Sequence, residues 1–132
     1  IDQSKRSEGV PATFFGARVV TTSVVALLAR RYKSPVVPVF CIREPGGGLT
    51  IRVEPPLRLA RSKELRSDLQ QNAQLMTAVV EKVIREYPRQ WFWFHKRWKN
   101  FYPQLYPEYF RRRSRRKFRE NRRAPAVRKR IG

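Results

Sequence analysis

From Leu65 to Tyr87 the apolar positions recur at helical spacing: Leu65, Leu69, Met76, Val79, Val80, Val83 and Tyr87 fall in one arc together with Asn72. Arg66, Gln70, Gln74 and Lys82 point mostly elsewhere, so the pattern predicts a long amphipathic helix that Pro88 brings to an end. A shorter helical face runs through Thr21, Val25, Leu28 and Tyr32. A hydroxyl of Thr21 or Thr22 can accept from the free amides of its first turn, and Pro35 sets its end near Lys33. Val36 to Ile42 is apolar and β-branched without alternation, which predicts a central strand covered on both faces. Beyond the REPGGG loop, Leu49, Ile51 and Val53 alternate with Thr50, Arg52 and Glu54, as expected of a half-buried strand paired to the first as a hairpin. Residues 1–20 mix turn formers with the knot Phe14-Phe15-Gly16 and are expected to form a loop leading into packed structure.

Three positions within this pattern raise chemical questions. Asn72 interrupts an apolar stripe, and a buried amide left unpaired costs about 1–3 kcal/mol, so a specific structural partner is expected there. Cys41 is the only cysteine, which rules out an intrachain disulfide; inside VVPVFCI it reads as a buried core thiol. The segment PRQWFWFHKRWK is dense in aromatic and basic residues. As a helix it would set Trp91, Phe94, His95 and Trp98 on one side and Lys96 and Arg97 on the other, suiting either core packing or a membrane interface.

Charge narrows the partners. The 132 residues carry a formal net charge of +20, which calls for a polyanion: nucleic acid, an acidic membrane surface, a phosphorylated lipid or an acidic protein. Residues 111–132 hold 12 of the 30 Lys and Arg, so 109–132 is expected as a basic tail, disordered when free, behind a body at 1–108. No apolar stretch reaches the roughly 18–20 residues needed to span a bilayer, so membrane contact by this segment is expected to be peripheral. The opening IDQSKRSEGVPATFFG reads like the middle of a structured region, and the chain is expected to be part of a longer one.

A series of landmarks gives the sequence a more specific likeness. In order they are Asp2-Gln3, Gly9-Val10, Phe14-Phe15-Gly16, Thr21-Thr22, Leu28-Ala29-Arg30-Arg31, Pro35-Val36-Val37-Pro38-Val39, Arg43, Pro55-Pro56-Leu57, Asn72, and Pro88-Arg89-Gln90-Trp91 through His95-Lys96-Arg97-Trp98-Lys99. Over about residues 1–99 the chain resembles the late acyltransferases of lipid A biosynthesis. The resemblance implies an α/β fold, the C-terminal portion of a glycerol-phosphate-acyltransferase-like domain, at the cytoplasmic face of the bacterial inner membrane. It also implies acyl carrier protein as donor, a phosphorylated glycolipid acceptor, an anionic membrane surface as support, and no cofactor or metal. Relatives that acylate phosphatidylinositol mannosides look similar over the same landmarks.

In that family a histidine deprotonates the acceptor hydroxyl, and an acid five positions later orients it. Here the one histidine, His95, is followed at that position by Asn100, so the resemblance places the catalytic pair upstream of Ile1. His95 itself reads first as a packing histidine, and otherwise as a contact for lipid phosphate beside Lys96, Arg97 and Lys99. The resemblance puts Asp2 and Gln3 near the acyl-transfer cleft; a turn or capping role for Asp2 stays open. Thr21 and Thr22 read as helix caps or, through the same helix N-terminus, as a site for substrate phosphate. Arg43, at a strand end, is expected to border the cleft. A rival of another class, a basic nucleic-acid-binding protein, draws on the Arg-rich tail and interleaved aromatics; the folded body carries no nucleic-acid motif, so nucleic acid is not the expected partner.

Overall fold

The computed structural model describes residues 9–107. Asp2, Gln3 and the tail at 109–132 lie outside the described residues. Strands β1 (Gly9–Phe14) and β2 (Ala17–Thr22) pair antiparallel, with Ala12 opposite Val19 and Phe14 opposite Ala17. The expected loop is therefore a hairpin from residue 9 onward. Its connection is the two residues Phe15 and Gly16, both at positive φ (51° and 74°), the condition of the tight turn whose twist matches the strands. The Phe-Gly pair does not have the usual turn composition, and Pro11 weakens the strand signal, which is why the hairpin hides in the sequence.

Helix α1 (Val24–Arg31) follows at once. Its buried positions are Ala26 and Ala29, whereas Leu28 and Tyr32 of the expected face are 47% and 65% exposed. Packing against α2 selects the small residues, because they let two helix backbones approach closely. Strands β3 (Val39–Arg43) and β4 (Leu49–Val53) form the expected hairpin, in register Val39 to Val53 and Cys41 to Ile51. Its burial differs from expectation. Ile42 is 5% exposed, but Val39, Leu49, Ile51 and Val53 each exceed 50%, and Cys41 is exposed. Alternation puts Cys41 on the face opposite Ile42, so β3 is covered on one face only, and the expected core thiol lies outside. On β4 the half-buried residue is Arg52, tied to Glu54 at 2.5 Å and to Glu86 of α2, which inverts the expected face.

Helix α2 (Leu65–Glu86) matches the predicted span to within a residue. It lies against β1 and α1, and it contributes Ile84 to the core around Ala12, Phe14 and Val19, where Val80, Trp91 and Trp98 also pack. Among the described residues no helix is long and apolar enough to cross a membrane. The architecture is mixed α/β: two hairpins, each with one face turned toward the same long helix.

Candidate functional site

After α2 the chain makes one 3-10 turn, Pro88–Gln90, and then a non-helical strap through Tyr102 that joins both hairpins. At its start, the Gln90 amide closes a pair of bonds with the backbone of Arg43. It accepts from the N–H at 2.8 Å and donates to the carbonyl at 2.9 Å. Trp98 donates to the carbonyl of Phe14 at 3.3 Å and stacks on the Phe14 ring, centroids 5.7 Å apart. Farther on, Arg18 lies 4.7 Å above the Phe101 ring. The segment is thus not the helix considered for it, and Trp91 and Trp98 reach the same core from a bent backbone.

The strap divides its side chains by environment. Trp91 and Trp98 are half-buried, while Phe92, Trp93 and Phe94 are 70%, 48% and 85% exposed. Of the two readings open for this segment, packing holds for Trp91 and Trp98, whereas Phe94 faces solvent. Arg97 is 2% exposed; it donates to the carbonyl of Val20 at 2.7 Å, with its guanidinium 5.4 Å from the centre of the Phe14 ring. A guanidinium stays charged when buried, and the ring face and carbonyl both present negative potential to it. This overturns its expected place at the lipid surface, since its charged end points inward. His95, Lys96 and Lys99 remain half-exposed on the strap.

Thr21 is fully buried on β2 rather than opening a helix, and Thr22 precedes the helix by two residues. The position before α1 is Ser23, which makes no side-chain cap bond; the Thr22 hydroxyl accepts from the amide of Val24 at 3.3 Å. Of the two expected caps, only Thr22 acts near a helix start. Thr21 lies next to Val20, whose carbonyl holds Arg97, so Thr21 and the strap share one end of the first hairpin. Arg43 sits at the end of β3 with its side chain exposed, joined to the strap through Gln90.

Sequence reasoning missed a polar cluster at the other end of α2. Asp68 is 1% exposed and accepts from the Ser62 amide at 2.7 Å and the Ser62 hydroxyl at 2.8 Å, with Arg30 of α1 as its ion-pair partner. Burial alone would raise its pKa; the Ser62 bonds and the Arg30 charge outweigh burial and hold the carboxyl below its ordinary value. Asn72, one turn on, accepts from the Ala60 amide at 2.7 Å and donates to the Ala60 carbonyl at 2.9 Å, the structural partner its burial called for. The available signal was two polar residues four apart on an otherwise apolar helix face. An open groove of about 840 Å³ between β1 and α2 is lined by Thr13, Arg18, Ser67, Gln70 and Gln71, among others.

These residues offer hydrogen bonds, fixed positive charge and an exposed aromatic tip. Among the described residues no group of three or more His, Cys, Asp or Glu is placed to hold a metal ion. No curated protein matches the sequence at a significant level. The model of the family described as bacterial lipid A biosynthesis acyltransferase matches residues 1–100, which include both hairpins, both helices and the strap as far as Asn100. The chain belongs to that acyltransferase family.

Proposed function

We propose that this chain forms the C-terminal part of a glycerol-phosphate-acyltransferase-like domain that moves a fatty acyl group from acyl carrier protein to a hydroxyl of a lipid A precursor. The observation that carries the reading is the family match over residues 1–100. Donor and acceptor both suit the charge: a body rich in arginine and lysine attracts an acidic carrier protein and a phosphorylated glycolipid. Its workplace is the cytoplasmic face of the bacterial inner membrane, which this segment meets peripherally. The chain lacks the His-x-x-x-x-Asp or Glu pair, so residues outside it supply the general base, and the acyl carbonyl is attacked there.

Within this reading Asp2, Gln3 and Arg43 border the cleft. Thr21 and Thr22 set the hairpin end beside it, His95, Lys96 and Lys99 contact lipid phosphate, and residues 109–132 form a basic extension. The test is acyl transfer from acyl carrier protein to a lipid A precursor, followed by mass spectrometry. The product of the intact reading frame is expected to transfer, and the 132-residue chain alone to give none. Transfer by the chain alone would make His95 the base, and no transfer by the intact product would remove the reading.

A further inference from the structure

Several apolar surfaces among the described residues lie in solvent, the outer face of α1 with Leu27, Leu28 and Tyr32 among them. Another is the outer face of the β3–β4 hairpin. A third is the tip of the strap, where Phe92 and Phe94 are 70% and 85% exposed, their ring centroids 5.8 Å apart, with Trp93 between them in sequence. The tip is distinguished by its charge and by its backbone.

From Tyr87 to Pro107 the chain has no acidic residue, while Arg89, Lys96, Arg97 and Lys99 are basic. Arg97 is spent on the core, but Arg89 is exposed and the two lysines half-exposed. An apolar tip flanked by positive charge matches the cross-section of an anionic bilayer, apolar below its phosphates.

The second feature is that part of the polarity at the tip is already paired within the protein. The Trp93 amide donates to the Trp91 carbonyl at 3.0 Å, the His95 amide to the Phe92 carbonyl at 3.1 Å, and the Trp93 indole N–H to the Pro88 carbonyl at 2.7 Å. Peptide groups that leave water unpaired oppose membrane insertion, and here these donors are already satisfied within the protein. The tip is also held in place, by the Gln90 bonds to Arg43 before it and by Trp98 on Phe14 after it. Ordering it at a surface therefore costs little chain entropy.

We propose that Phe92 and Phe94 form an insertion wedge that enters the interfacial layer of an anionic lipid bilayer, with Arg89, Lys96 and Lys99 against the lipid phosphates. The wedge fits the proposed acyl transfer, since it would hold the domain at the surface where a lipid acceptor resides, and it rests on that reading only for the presence of a membrane.

The test uses the whole 132-residue chain and vesicles of phosphatidylglycerol and phosphatidylcholine, with and without brominated acyl chains. Brominated lipid is expected to quench Trp93, identified by the quenching lost in Trp93→Phe. At high salt, where purely ionic attachment is screened, the Phe92→Ser, Phe94→Ser double variant is expected to partition at least about tenfold more weakly than the parent. Phe94→Trp should partition like the parent. Equal partitioning of the double variant, or a Trp93 that brominated lipid fails to quench, would overturn the wedge. Both readouts are independent of acyl transfer to a micellar acceptor by the intact enzyme, so either proposal can fail while the other stands.

Discussion

Among the described residues, three side-chain amides act as stand-ins for a neighbouring peptide group. Asn72 pairs with both the N–H and the carbonyl of Ala60, Gln74 with those of Thr13 at 2.7 and 3.1 Å, and Gln90 with those of Arg43. Each bonds both the N–H and the carbonyl of one backbone residue, and in doing so fixes α2 or the strap to that residue. Asn72 is the most enclosed of the three, at 3% exposed. Asn72→Leu should therefore destabilise the fold by about 1–3 kcal/mol in urea unfolding, because both polar groups of Ala60 lose their partner. Asn72→Asp should be worse: it removes the donor and sets a second carboxylate four residues from Asp68. A neutral outcome for Asn72→Leu would mean that water replaces the amide at no cost.

At the scale of elements, the helices illustrate how far a periodic pattern reaches. The apolar arc of α2 is wide and 22 residues long, so few rotations about its axis bury it, and its span is legible. In the eight-residue α1 the apolar residues nearly surround the axis, and contact with α2 chooses the alanine face instead of the leucines. Ala29→Leu should therefore cost about 1–3 kcal/mol by overfilling the α1–α2 contact, whereas Leu28→Ser should change stability by less than about 0.5 kcal/mol in the same denaturation assay. The reverse order would restore the face that the sequence suggested. The β4 strand follows the same logic: its alternation is plain, but Arg52 reaches Glu86 on α2, so the polar face turns inward.

For the whole molecule, charge pairs tie separate elements together: Asp68 joins α2, α1 and the loop at Ser62, and Arg52 joins β4 to the end of α2 through Glu86. The Arg52 hydrogen bond is the main reason that the Glu86 carboxyl lies below its ordinary value, as the Ser62 bonds and Arg30 hold Asp68 below its own. A carboxyl depressed in the folded state binds protons more readily once unfolded. Its stabilisation is therefore present above the ordinary carboxylate range and is lost as pH falls through the lowered folded value. Unfolding midpoints should hold near neutral pH and begin to decline at about pH 4, steepening below it. Asp68→Asn should start lower and decline less, because it removes one of the titrating groups; an unchanged slope would assign the acid response elsewhere.

What the sequence determined by itself is what local spacing can carry: the long helix, the β3–β4 pairing, the need for a partner at Asn72, and the ordered landmarks that mark an acyltransferase. The tertiary structure decided which faces are covered. Pro11 and an unusual Phe15-Gly16 turn mask the first hairpin, and its partners on the strap, Arg97 on Val20 and Trp98 on Phe14, are 77 and 84 positions away. No local pattern encodes such a pairing. Arg97, basic among basic neighbours, reads as a surface charge until the ring of Phe14 and the carbonyl of Val20 converge on it. Likewise, the sequence leaves Phe94 open between core and surface, and the fold puts Trp91 and Trp98 in the core and Phe94 in solvent. Burial is a competition among all apolar and polar surfaces of the folded chain, whereas periodicity records only the contestants within one element.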